Sequence, residues 1–205
     1  MSTSTTASST RGHTPKGMET KQRILRTAAE LFSQNGYHAT GLSELGDAVN
    51  LGRGALYYHI GSKEQLLYDL SVRHVQEMVD YGESLVNTPL PVEERFRRLS
   101  RKLMRVIADN RQEWTVYFRE AHALSGRRSE KVRDLRSRFA SVWRTLLNEG
   151  QSTGDFYQVD SLTVQAVLGM HNYSYLWINP DGHKSPEEIA DHFCDILLHG
   201  ITPNS

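Results

Sequence analysis

Residues 51–67 read "LGRGALYYHIGSKEQLL". Tyr57, Tyr58 and His59 stand in a row, Gly54 and Gly61 interrupt on either side, and Arg53 and Lys63 put a cation near each end. Gly61 breaks any helix that carries the rings. Ser62 is an N-cap for the next helix, and Gln65 three residues on completes a capping box. Upstream, Asn50 tolerates the left-handed backbone that a sharp turn needs. The pattern predicts a short helix over about 53–59, entered by a three-residue turn. A long capped helix follows at once and runs to about 86, where "NTPLP" ends it.

Working outward, Ile24, Leu25, Ala28, Leu31 and Phe32 recur at helical spacing over 19–35, and Gly36 closes that helix as a C′ glycine. Thr40 is placed to cap a second helix, "GLSELGDAV", with Leu42, Leu45 and Val49 on one face. Beyond the long helix, further helices are predicted near 92–108, 112–123, 127–150, 162–178 and 186–198, with Asp160 capping the fourth of these. No strand pattern or repeat is visible. The chain reads as all-α: a disordered Ser/Thr-rich tail (residues 1–17), an N-terminal three-helix helix-turn-helix domain (18–62), and a larger helical bundle (63–205).

Bulk properties narrow the function classes. The 205 residues carry 24 basic and 24 acidic side chains, so a basic surface for nucleic acid must be local. One cysteine, Cys194, excludes an intrachain disulfide and suits a reducing compartment. The apolar runs are too short to span a bilayer, and the first stretch lacks the apolar core of a secretory signal. A cytoplasmic protein is expected. No G-x-S-x-G elbow, phosphate loop or Cys/His zinc framework is present, so no catalytic residue, metal ligand or cofactor is expected. His192, Asp195 and His199 fall at i, i+3 and i+7 on the last helix, a spacing that suits a metal but reads more simply as a polar helix end.

Two short helices joined by a turn and braced by a first helix match a helix-turn-helix, whose second helix enters the major groove. Arg53 can fork onto guanine O6 and N7 or onto a phosphate. Gly54 removes a side chain where the helix must come close, and Tyr57 and His59 can donate to phosphate oxygens. Lys63 lies on the first turn of the next helix, where backbone N–H groups already favour an anion. Leu51, Ala55 and Leu56 supply the apolar side that holds the helix to its neighbours. The alternative is that the rings are half-buried residues of a bundle, a description that fits Tyr58 best. A helical protein-interaction module without a DNA role is the competing function class.

The segment "TGLSELGDAVNLGRGALYYHIGSKEQLL" (40–67), with "KQRILRTAAELFSQNGYHAT" before it, resembles the DNA-binding signature of the TetR family of transcriptional repressors. Carried over position by position, the resemblance implies DNA contacts at Thr40, Arg53, Tyr57, Tyr58, His59 and Lys63. Asn50 stands where the family often has glycine. Gly52 stands where a serine or threonine usually caps the recognition helix and touches phosphate, so that contact is lost here. The resemblance further implies a homodimer on a near-palindromic operator, paired through the last two helices. On the last one Ile189, Phe193, Ile196 and Leu197 form an apolar stripe, which serves an internal core equally well.

The resemblance also implies a small-molecule effector that releases the operator. The bundle is rich in rings interleaved with polar groups, as a ligand cavity requires. Trp114, Tyr117, Phe118 and His122 fall on one segment, Phe139 and Trp143 on the next, and Asn172, Tyr173, Tyr175 and Trp177 on a third. The helix with Arg127, Arg128, Lys131, Arg133, Arg136 and Arg138 is strongly basic, although Glu130 and Asp134 interleave as on a solvated face. The run "YFREAHAL…LNEGQSTGDF…LWINPDG" is similar to actinobacterial regulators of lipid and sterol-ring catabolism, several of which answer to coenzyme A thioesters. An acyl-CoA with its apolar part and phosphate-bearing handle is one expected effector. A neutral hydrophobic, drug-like molecule is the other.

Overall fold

The computed structural model describes residues 15–156 and 159–201. Helix α1 (Pro15–Asn35) is followed by α2 (Leu42–Ala48), α3 (Arg53–Ile60) and the 24-residue α4 (Lys63–Val86). Then come α5 (Val92–Asp109), α6 (Arg111–Glu120) with a 3-10 turn at Ala121–Ala123, α7 (Gly126–Thr153), α8 (Ser161–Asn172) with a 3-10 turn at Tyr173–Leu176, and α9 (Pro186–Ile201). The described residues contain no strand, as the apolar periodicity predicts. The largest boundary differences are at α1 and α8. α1 begins at Pro15, inside the expected tail; proline's missing N–H costs nothing in a helix's first turn. α8 ends at Asn172 rather than near 178, and the chain tightens into the 3-10 turn. Most of the expected Ser/Thr-rich tail, residues 1–14, lies outside the described residues.

The front three helices close over one apolar core. Ile24, Ala28 and Phe32 of α1 meet Leu45 and Val49 around α2 and Leu56 and Ile60 of α3, all buried. Gly36 (φ 88°) ends α1. Thr40 does not cap α2: the N-cap is Gly41, whose N–H is accepted by Glu44 at 3.4 Å. Thr40 is instead 1% exposed, and its hydroxyl donates back to the Gly36 carbonyl at 2.9 Å. The turn between α2 and α3 occupies 49–52, with Asn50 the one non-glycine residue at positive φ (52°) among those described. The Leu51 N–H closes onto Gly46 O at 2.8 Å. A Cβ on Gly46 would stand 2.9 Å from the Leu51 carbonyl, so only glycine admits so tight a turn.

Ser62 caps α4 by accepting from Gln65 N at 2.9 Å. The reciprocal half of the expected capping box is missing, because the Gln65 side chain donates to Asp69 and accepts from Arg128. α4 then runs under the bundle against α7. Gly82 allows their close approach, since a Cβ there would lie 2.7 Å from Val142 Cγ1. At the far end the buried Arg95 guanidinium donates to Leu90 O (2.9 Å) and Val86 O (2.8 Å) and pairs with Glu149, fastening the α4–α5 turn to α7.

α9 lies antiparallel along α5. Arg97, Arg101 and Arg105 pair with Asp195 (2.8 Å), Asp191 (2.6 Å) and Glu187 (Nε–Oε1, 2.8 Å), one rung per helical turn. Beneath the ladder sits a buried polar cluster. His171 donates from Nδ1 to Val167 O (2.7 Å), so its Nε2 accepts from the Ser100 hydroxyl, also at 2.7 Å. Complete burial lowers the His171 pKa to about 4 and keeps the ring neutral.

This burial makes stability depend on pH. Between its ordinary 6.5 and about 4, His171 takes up a proton in the unfolded chain but not in the folded one. Stability is therefore fully present above pH 6.5 and falls as the pH drops toward 4, by about 3 kcal/mol from this residue. Urea titrations at pH 7 and pH 4.5 should show that loss, and His171→Gln should flatten the slope. An unchanged slope in the variant would contradict the assignment.

Candidate nucleic-acid interface and bundle cavity

The sequence of α3 divides into two sides. Leu56 and Ile60 are buried against α1 and α2, and Leu51 is half-buried beside them. The opposite side presents Arg53, Gly54, Tyr57 and Tyr58 to solvent. Two expectations are corrected. Ala55 is exposed and does not help anchor the helix, because it falls on the outer side of the turn. Tyr58 is 77% exposed rather than half-buried, the most open aromatic ring among the described residues.

The outer groups are ordered by one another. The Arg53 guanidinium lies over the Tyr57 ring, 5.7 Å from its centroid, an i,i+4 pairing that fixes where the cation points. The half-buried His59 meets Tyr58 edge-on at 5.3 Å. Gly52 caps the helix without a side chain, and neither Gly52 nor Gly54 has a neighbour within 4 Å of an added Cβ, so the backbone there is open to a close approach. The Lys63 ammonium donates to His38 O (3.4 Å) and rests 4.6 Å from the Tyr37 ring centroid, with partial burial lowering its pKa. Lysine has three donors, so the rest are free for an anion. Thr40 is withdrawn as a contacting side chain, since its hydroxyl is buried and committed to a carbonyl.

The bundle holds a cavity of about 380 Å³ between α6, α7 and α8. Trp114, Phe118, Phe139, Asn172 and Tyr173 line it, as expected. Three expected residues do not. Trp143 is fully buried and packs edge-on against Phe96 and Phe139, making it core. His122 lines a smaller neighbouring cavity of about 220 Å³. Trp177, 52% exposed, stands on the outside next to Phe193 of α9. Tyr117 and Tyr175, expected among the rings, line it too, as does Arg136 of the basic helix; the sequence reading missed Val75, Gln165, Leu168 and Gly169 in the wall. Helical spacing back from Asn172 could have offered Gly169, Leu168 and Gln165. Nothing local marks Val75, which α4 brings in from a distant part of the chain.

Rings dominate this wall. Phe118 stacks between Trp114 (5.7 Å) and Tyr175 (5.0 Å), and Tyr117 meets both α6 rings edge-on. Trp114 Nε1–H is buried with no acceptor among the described residues, a donor that a molecule in the cavity would satisfy. Burial raises the Tyr117 pKa to about 12, keeping its hydroxyl protonated. Just behind the wall, His74 of α4 and Glu113 of α6 meet at 2.6 Å, each side chain about 8% exposed. Each is the chain neighbour of a cavity residue, Val75 and Trp114 respectively.

The apolar stripe of α9 also divides. Leu197 is 9% exposed and belongs to the protomer's own core, which corrects its assignment to an outer face. Ile196 is 52% exposed, and Ile189 and Phe193 are half-buried. Leu162, Leu176 and Trp177 are also open large apolar residues of the α8–α9 region. Asp195 of the suggested metal triplet pairs with Arg97, and the side chain of His199 lies outside the described residues.

Known proteins fit this geometry. Residues 24–70 match the model for bacterial regulatory proteins of the tetR family, and residues 89–201 match that for a tetracyclin repressor-like C-terminal domain. The chain is 25% identical over 183 residues to the HTH-type transcriptional repressor KstR2 of Mycobacterium tuberculosis, covering 87% of this chain and 91% of that protein. Among solved structures, the TetR family transcriptional regulator PfmR from Thermus thermophilus superposes with a TM-score of 0.80 at 34% identity, covering 86% of this chain and 97% of that one. AibR in complex with isovaleryl coenzyme A and operator DNA gives 0.76 at 25% identity, covering 87% and 98%.

Arg53→Ala and Tyr57→Ala should each weaken specific DNA binding by roughly 1–3 kcal/mol, the scale of a lost base contact, without changing the melting temperature. Thr40→Val should act oppositely, lowering the melting temperature because it breaks a buried hydrogen bond. Fluorescence anisotropy and thermal melts on the three variants check both. Full affinity in Arg53→Ala would contradict the interface.

Proposed function

The chain belongs to the TetR family of bacterial regulatory proteins, and on that premise we propose that it is a ligand-responsive transcriptional repressor that binds a palindromic operator as a homodimer. The observation that carries this reading is the outer side of α3: a stacked Arg53–Tyr57 pair, an open tyrosine and two glycines, with no core role for any of them. A helix so furnished has the width and donors for the major groove. Arg53, Gly54, Tyr57, Tyr58, His59 and Lys63 are the proposed contacts. The domain division follows the same logic, with residues 18–62 as the reading head and 63–205 as the bundle that pairs and senses. Ile189, Phe193 and Ile196, joined by Leu162, Leu176 and Trp177, make the proposed dimer face.

No helix among the described residues is long and apolar enough to cross a membrane, and relatives that span nearly all of the chain are transcriptional regulators. Both facts support a cytoplasmic, non-enzymatic role.

The effector site is the aromatic cavity behind α4. Ligand pressing on Val75 and Trp114 would load the His74–Glu113 contact and so tilt α4 against α6. A second tie would carry the motion forward. Glu64, at the start of α4, accepts from Ser125 N (3.2 Å) and Oγ (3.0 Å) and from Arg128 (3.2 Å) at the start of α7. Release requires that ligand prefer the DNA-incompetent state, and a tenfold loss of operator affinity needs about 1.4 kcal/mol of such preference. The relative crystallised with isovaleryl coenzyme A supports an acyl-CoA effector, and the ring-lined wall by itself supports a neutral hydrophobic one.

A titration with the duplex upstream of the protein's own gene tests the function. Sequence-specific binding should appear, with an affinity that falls steeply as salt rises from 50 to 200 mM, by the roughly 10³-fold typical when about six phosphates are neutralised. Salt-insensitive or non-specific association would favour a protein-interaction bundle instead.

A further inference from the structure

The basic residues of α7 fall into two groups. Those facing other helices or their own turn are matched: Arg128 with Glu64 and Gln65, Lys131 with Asp134, and Arg138 with Glu83 at 2.9 Å. Arg127, Arg133, Arg136 and Arg144 have no carboxylate partner among the described residues. Of these, Arg133 and Arg136 line the smaller cavity of about 220 Å³, together with Ser129 and His122. That cavity is not separate from the aromatic one. Tyr117, Phe118 and Arg136 belong to the walls of both. A ring-lined chamber thus opens beside a chamber with two guanidinium groups, an imidazole and a hydroxyl, and one arginine stands at the junction.

We propose that the smaller chamber is an anion site, and that the effector is an amphipathic anion with its apolar part among Trp114, Phe118 and Phe139 and its negative group on Arg133 and Arg136. This rests on the reading of the aromatic cavity as the effector site. The chemistry follows from the donors. Guanidinium groups hold phosphate or carboxylate oxygens through paired N–H bonds, and charged hydrogen bonds are about twice as strong as neutral ones. Ser129 adds a hydroxyl donor, and His122 adds a ring N–H whichever tautomer it holds. No acidic side chain lines either chamber, so nothing there repels the ligand's charge. The anion is a phosphate, as in a coenzyme A handle, or a carboxylate, as in a free acid. The two share this recognition.

The test uses the full chain and three probes with one alkyl length: octanoyl-coenzyme A, octanoate and 1-octanol, read by quenching of tryptophan fluorescence. The proposal expects one or both anions to bind more tightly than the alcohol. Arg133→Ala/Arg136→Ala should lower that anion's affinity about tenfold or more, as for a lost charged contact, and leave the alcohol unchanged. Both arginines are solvent-exposed, and an unaltered circular dichroism melt shows that the variant still folds. Preference for the thioester identifies a phosphate handle, and preference for octanoate a carboxylate. Equal affinity for anions and alcohol, or a double variant that binds the anions as the parent does, overturns the anion site while leaving the cavity intact. Failure of all three probes to bind overturns the cavity reading and the proposal with it.

Discussion

A single rigid helix serves both halves of this protein, and that constraint governs the rest. α4 begins one residue after the Gly61–Ser62 break that ends the recognition helix and runs for 24 residues, about 36 Å at 1.5 Å per residue, to the α5 turn. Its first turn is tied to α7 through Glu64, its middle to α6 through His74, and its end to Arg95. Such a rod cannot shift where Val75 meets the cavity without shifting the segment that aims α3. The His74–Glu113 contact is close, yet neither atom has the alignment of a hydrogen bond. A buried polar contact without that alignment holds the two helices together less firmly than a well-formed hydrogen bond would, as the proposed tilt of α4 requires.

The remaining helices make that rod useful. The Arg97–Arg101–Arg105 ladder sets the register of α9 on α5, although such half-exposed pairs contribute little to stability individually. The energy comes from the apolar layer beneath, where Phe96, Leu99 and Leu103 are fully buried. With Ser100 and His171 satisfying each other inside that layer, α9 is held in one register and its outer residues Phe193 and Ile196 take a defined position. In the proposed repressor, this face of α9 would pair the two copies and α4 would couple the cavity to α3.

Much of this was legible in the sequence, and the exceptions have physical causes. The helices, the turn at Asn50 and the cap at Ser62 followed from apolar spacing and capping residues, all local signals. Thr40 was misassigned because a threonine before a helix can cap it or turn back, and here the buried carbonyl of Gly36 outcompetes the helix N-terminus. Trp143 and Phe139 looked alike as rings on one helix, but only packing from α5 decides that Trp143 is core. Gly46 carried no visible signal until the Leu51 carbonyl was seen against it. The α5–α9 ladder was readable in principle, since arginines at 97, 101 and 105 match acids at 187, 191 and 195 with the same period. It needs the knowledge that these helices are antiparallel neighbours, which no local pattern supplies.

The central claim is that two copies of α3 read one face of duplex DNA. Protection of guanine N7 from methylation on the bound operator tests it most directly, because that atom lies in the major groove. The account predicts two protected segments whose centres lie about 34–36 Å apart, one helical turn, or a multiple of that distance. A single protected segment, or none with the protein bound, would contradict it.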